Sequence, residues 1–126
     1  AILEGADLSR ANLTEAILTD ANLKNAFLVG ANIQKADLQR ANLEGADMAG
    51  VKLRNAHLQN ANLKKVDLRR ADLEHADFSK ANLSSANFTG AKMSEGLFIG
   101  ADLTGSNMDS ADTTDTQFKD AIGFKG

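Results

Sequence analysis

The sequence predicts an all-β solenoid, a chain that coils on itself and turns a corner in every five residues. Three observations carry this. Cut from Ala1, the 126 residues fall into 25 consecutive five-residue units without an insertion. The third position is Leu, Ile, Met or Phe in 23 of the 25, and the first is Ala in 20. The fifth position holds seven of the ten glycines.

A helix cannot use this period. Five residues overshoot one turn by about 140°, so the apolar positions would scatter around the cylinder. A flat strand fails as well. Positions one and three share a face, but the first position of the next unit falls on the opposite parity. A corner near positions four and five removes the conflict. Gly5, Gly30, Gly45, Gly50, Gly90, Gly100 and Gly105 then stand where a turn requires positive φ, and Asn25, Asn55 and Asn60 tolerate it. Each unit becomes one short side with two side chains pointing in, small Ala at the wall and the large third residue on the axis. Four right-angled corners return the chain above its start in 20 residues, although the pattern alone leaves the number of corners open. The absence of Pro fits a backbone whose N–H groups are nearly all needed for pairing.

Units such as ADLSR, ANLTE, ADLQR and ANLEG match the A(D/N)LXX consensus of the pentapeptide-repeat proteins, which the chain resembles over residues 1 to about 120. The resemblance implies a right-handed quadrilateral parallel β-helix. At four units per coil this is about six 20-residue coils, a rod about 30 Å long at the spacing of paired strands. Thr113 and Gly123 break the third-position rule, and AIGFKG leaves the consensus. The expected organisation is therefore a β-helix over 1–120 and a C-terminal cap or tail over 121–126. An uncapped β-helix end at Ala1 would invite end-to-end association.

Residues 20 apart become vertical neighbours. Phe78, Phe98 and Phe118 should then stack inside one face, with Phe88 opposite. Outside, Glu4, Lys24, Glu44 and Lys64 alternate in sign, as do Lys52, Asp72, Lys92 and Asp112. Asn22, Asn42, Asn62 and Asn82 form a column expected to act as an amide ladder. These columns support a four-unit coil independently of the resemblance.

Composition narrows the function. A net charge of −3 argues for neither nucleic acid nor an acidic substrate. The lack of Cys excludes thiolate chemistry and leaves the redox compartment unread. No run is long and apolar enough for a membrane span and no signal peptide is visible; a soluble chain of unknown compartment is expected. His57 falls between Asp37 and Asp77 in one outer column, but on a flat wall without a pocket it reads as surface, not as a metal site. His75 reads as a surface pair with Glu95. Residues 51–80 carry seven Lys and Arg against four acids, and residues 95–120 carry six acids against Lys119 alone. This grading reads as a solvated surface. With every side chain packed on the axis or splayed outward, no catalytic, cofactor-binding or metal residue is assigned.

The expected function is thus a non-enzymatic structural or protein-interaction module that needs no cofactor, a rod whose flat faces meet an unidentified protein partner. The resemblance adds an alternative, because some members of the family protect or inhibit DNA gyrase by mimicking duplex DNA and dimerise through their C-termini. The basic belt and the absence of projecting loops depart from that type. A structural segment of a larger chain is a third reading. The residues singled out as candidate partner contacts are four outward apolar ones: Phe27 and Val29 in AFLVG, and Leu97 and Ile99 in GLFIG. The second pair is expected to be covered by Ile122 and Phe124 of the tail, to dock a partner or second copy, or to be incidental.

Overall fold

Alternate residues of short extended segments pair with the residues one coil away, and the offset is 20 throughout. Single-residue parallel pairings run from Ile2 with Asn22 to Asp102 with Ile122. The column 2, 22, 42, 62, 82, 102, 122 steps through six coils. The structure, a computed structural model, describes residues 2 to 124. Each coil has four short sides. Face 1 comprises units such as 41–45, face 2 units such as 46–50, face 3 units such as 51–55 and face 4 units such as 56–60. Three backbone bonds per unit tie neighbouring coils. Leu43 N donates to Asn62 O at 2.7 Å, Gly45 N to Lys64 O at 2.9 Å, and Asn62 N to Ala41 O at 2.9 Å.

The corner is a turn closed by the N–H of position one onto the carbonyl of position three in the preceding unit, as in Ala46 N to Leu43 O at 3.0 Å. That scheme leaves the N–H of position four unused, which explains the preference at position two. In all 16 units with Asn or Asp there, Oδ1 accepts the N–H two residues on, at 2.9–3.3 Å. The expected amide ladder is therefore replaced by a local bond. Asn22, Asn42, Asn62 and Asn82 stack in a column, but each oxygen serves the backbone of its own unit.

Positive φ is not confined to the glycines and asparagines that tolerate it best. Every fifth position from Gly5 to Asp120 is left-handed, including Arg70 at 56°, His75 at 60° and Lys65 at 61°. A non-glycine residue costs about 1 kcal/mol or more in this region, and the repeated coil-to-coil bonds hold it there. β-Branched residues, the worst in this conformation, never occupy the position. Lys65 is exposed, so Lys65→Val tests the constraint. Its expected effect is a loss of about 1–2 kcal/mol in denaturant unfolding, with no loss for Lys65→Gly.

The axis is filled without a break. The hydrophobic residues of positions one and three from Ala21 to Leu103 are at most 1% exposed. Phe98 stacks on Phe78 at 4.9 Å and on Phe118 at 5.6 Å between ring centroids, with Phe88 edge-on from the opposite face at 5.9 Å. This is the arrangement the 20-residue spacing predicts. Pairing continues through Ile122, two residues past 120. Gly123 (φ 79°) then bends the chain, and the Phe124 ring lies on Phe118 at 3.7 Å. Lys125 and Gly126, assigned by sequence to the cap, lie outside the described residues, as does Ala1.

Candidate interaction surface

A filled axis leaves only the outer walls for contact, so the outward apolar residues decide where a partner can sit. Phe27 is 50% and Val29 39% exposed on face 2. Phe27 stands between Asp7 and Asp47 in its column. On face 4, Leu97 and Ile99 are half-buried, not fully open as the sequence predicts. Leu97 stands between Asp77 and Gln117. The tail is engaged elsewhere: Ile122 pairs with Asp102 on face 1, and Phe124 lies on Phe118 at the end of the stack. The two pairs stand on opposite faces and three coils apart, so they form two separate patches. Ile2 (86% exposed) and Ile17 (83%) also point outward, which the sequence reading missed. Their signal was available: an apolar residue at position two, where Asn or Asp is the rule, as at Phe27 and Leu97.

The charged columns behave differently from expectation. None of the alternating Glu/Lys or Lys/Asp neighbours on faces 1 and 3 forms an ion pair among the described residues. The acids have nearer partners. Glu4 and Glu44 accept from Asn22 and Asn62 Nδ2 at 3.4 Å, while Asp72 and Asp112 hold the backbone N–H of Glu74 and Thr114. Most of the pairs that do form involve arginine: Arg40 grips Asp20 (2.9 Å) and Arg69 grips Asp67 (2.7 Å) through two nitrogens each, and Arg54 meets Glu74 through one Nη at 2.8 Å. His75 meets Glu95 at 2.7 Å, as its column predicts.

His57 is exposed beside Asp37 and Asp77, but those carboxylates are occupied. Asp37 accepts from Gln39 N, and Asp77 from Ser79 N and Gln59 Nε2. No cluster of three metal-ligating residues occurs among the described residues. A cavity of about 410 Å³ lies at the C-terminal end, between Met108, Ala111, Thr113 and the tail residues Gly123 and Phe124. Its lining includes Ser106, Thr113, Phe124 and one carboxylate, Asp109, and no base stands opposite that acid.

The position-two bonds set a pH response. The Thr104 and Thr114 hydroxyls, aided by their backbone N–H groups, hold Asp102 and Asp112 below their ordinary value of 3.8, and the backbone N–H groups of Ser9 and Gln39, aided by side-chain bonds, do the same for Asp7 and Asp37. The folded state therefore binds fewer protons than the unfolded one in this range. The stabilisation is present above the unfolded value and is lost as pH falls through the lower folded values. Acid unfolding should thus set in below about pH 4. Replacing Asp37, Asp102 and Asp112 together by Asn, which keeps Oδ1, should shift the acid transition to lower pH and leave neutral-pH stability nearly unchanged. Circular dichroism against pH checks both.

Comparison with known proteins places the chain. The family model for pentapeptide repeats matches in eight copies over residues 1–30, 46–84 and 86–122. Among solved structures, the pentapeptide repeat protein Rfr23 from the cyanobacterium Cyanothece 51142 is 34% identical, with a TM-score of 0.70, over 72% of this chain and 63% of that one. HetL from the cyanobacterium Nostoc sp. strain PCC 7120, a pentapeptide repeat protein involved in heterocyst differentiation regulation, is 31% identical with a TM-score of 0.65, over 100% of this chain and 65% of that one. This chain therefore spans just under two thirds of either relative. QnrB1, a plasmid-mediated fluoroquinolone resistance protein, shares the fold at 21% identity, with a TM-score of 0.80 over 99% of this chain and 73% of that one. No curated protein matches significantly. With the family model covering well over half of the sequence, this chain belongs to the pentapeptide repeat family.

Proposed function

We propose that the chain is a right-handed quadrilateral β-helical rod acting as a non-enzymatic structural and protein-interaction module. The observation that carries this is the division of side chains: from Ala21 to Leu103 the inward ones fill the axis, and the remainder stand on flat walls. Such walls present columns of side chains about 4.8 Å apart, a geometry that recognises an extended surface better than it encloses a substrate. HetL, involved in a differentiation process, supports a regulatory setting for such a rod. In the proposed organisation, residues 1–120 form the rod and 121–126 a C-terminal cap or tail, whose Ile122 still pairs with Asp102. Partner contact runs through Phe27 and Val29 or through Leu97 and Ile99.

A photo-crosslinking residue placed in turn at the outward positions Phe27, Asn42, Asp72 and Leu97 samples faces 2, 1, 3 and 4 in cells that produce the chain. Adducts to one protein from one face are the expected result. Equal labelling from all four faces, or none from any, overturns the module reading. The gyrase-mimic alternative has one favourable feature, the acidic 95–120 segment, against the seven cations of 51–80. No effect on gyrase supercoiling at micromolar protein is expected.

A further inference from the structure

Phe27 borders a stretch of face 2 that carries almost no side chains. Its column reads Asp7, Phe27, Asp47, Asp67, each backbone-paired with the next and so about 4.8 Å apart. Beside and above it, Gly30, Ala49 and Gly50 carry almost no side chain, and the space where a Gly50 Cβ would stand is open to at least 4 Å. The half-exposed Phe27 and the Val29 side chain stand at the lower edge of this bare stretch of wall. Because Phe27 replaces the usual Asn or Asp, the Val29 N–H lacks the acceptor its counterparts have.

The carboxylates beside the ring are not equivalent. Asp67 is taken by Arg69, which grips it through Nε and an Nη. Asp7 and Asp47 each spend Oδ1 on their own turn, at 3.1 Å from Ser9 N and 3.3 Å from Ala49 N. Neither makes a close ion pair among the described residues, although Ser9 and Arg10 act on Asp7 and Asp47 lies within the field of Arg69. Arg10, the cation of this chain at that corner, lays its Cγ near Gly30, 3.5 Å from where a Cβ would stand.

We propose that this stretch of face 2 receives an arginine side chain from an extended segment of a protein partner. The guanidinium lies over Phe27 and is bonded by Asp7 and Asp47, while the segment's backbone runs across Ala49 and Gly50. Charge complementarity selects a cation, and the ring selects one with a planar, weakly hydrated head. The bare backbone at Gly50 leaves room for its stem. This assignment rests on the interaction-module reading and narrows it to one face.

The probe is acetyl-Gly-Arg-Gly-amide against its citrulline counterpart, titrated into 15N-labelled protein. The arginine peptide should shift the Val29, Ala49 and Gly50 amides saturably, and the neutral isostere should not. Phe27→Ser, and separately the pair Asp7→Asn with Asp47→Asn, should each weaken binding about threefold or more. Both variants should keep wild-type spectra elsewhere, since Phe27 faces outward and Asn retains Oδ1. Equal shifts with citrulline, arginine shifts confined to residues 95–120, or unchanged affinity in either variant overturns the assignment. If crosslinking still finds a partner on another face, only the face 2 assignment fails; if no face labels, the module reading fails with it.

Discussion

Phe98→Ala is expected to lower the stability of the rod by about 3–5 kcal/mol. Phe98 is wholly buried and touches aromatic rings on three sides: Phe78 below, Phe118 above and Phe88 across the axis. The loss includes the transfer of a phenyl group and the cavity left in a stack whose neighbours are themselves rigid rings, together with offset and edge-on ring contacts. In a solenoid each coil is held only by its neighbours, so the damage is directional. The coil above Phe98 loses its floor. Denaturant unfolding should turn biphasic, with amides of residues 101–122 exchanging before those of residues 23–73. Phe27→Ala supplies the contrast. That ring faces outward, and its removal should change stability by less than about 0.5 kcal/mol. A loss below about 1 kcal/mol for Phe98→Ala would show that the ring stack is not what joins the last coils to the rest.

How much of this was legible follows from which forces act over five residues and which over twenty. The core rule is written in each unit, so period, corner and inward residues were readable, and the multiple of 20 in the Phe spacing placed the ring stack. The Glu/Lys, Lys/Asp and Asn columns do not bond as expected, although three other pairs 20 apart do: Arg40 with Asp20, Arg54 with Glu74 and His75 with Glu95. Position-two oxygens instead answer the nearest orphan N–H, two residues on; Asp72 does so through Oδ1, and its Oδ2 meets Arg54 at 3.5 Å rather than a lysine of the next coil. The fifth position was half-legible. Glycine and asparagine announce positive φ, but Arg70 and His75 adopt it because the coil-to-coil bonds impose it. In GLFIG, the loss of the usual Ala at position one is explained by Phe98. A Cβ on Gly96 would stand 3.1 Å from Phe98 Cε1 and 3.1 Å from Met93 O, which also accepts the Thr116 hydroxyl at 2.7 Å. The pattern could place Leu97 and Ile99 on the outside but not measure how deeply neighbouring columns bury them.

Gly123→Val should undo the C-terminal closure at a cost of about 2–3 kcal/mol. Two constraints meet at this residue. Its φ of 79° lies where a β-branched side chain is most strained. A Cβ there would also stand 2.6 Å from Thr104 Cα and 2.7 Å from Thr104 N. Those are backbone atoms of the coil below, so no rotamer change relieves the clash. The chain must lift away, breaking the bonds between Ile122 and the 101–103 segment, Ile122 N to Ala101 O at 2.9 Å and Leu103 N to Ile122 O at 2.7 Å. Phe124 then leaves the Phe118 ring, and an aromatic stack begun at Phe78 ends one ring short. The expected record is loss of hydrogen-exchange protection at Leu103 and Ile122 together, a fall in thermal midpoint, and unchanged protection for coils below residue 80. Phe124→Ala separates the two contributions: it removes the ring but leaves Gly123 in place, so Leu103 and Ile122 should stay protected while stability falls by a smaller amount. If Gly123→Val leaves Leu103 protected, the tail docks through its ring alone and the close backbone approach at Thr104 is not what holds it.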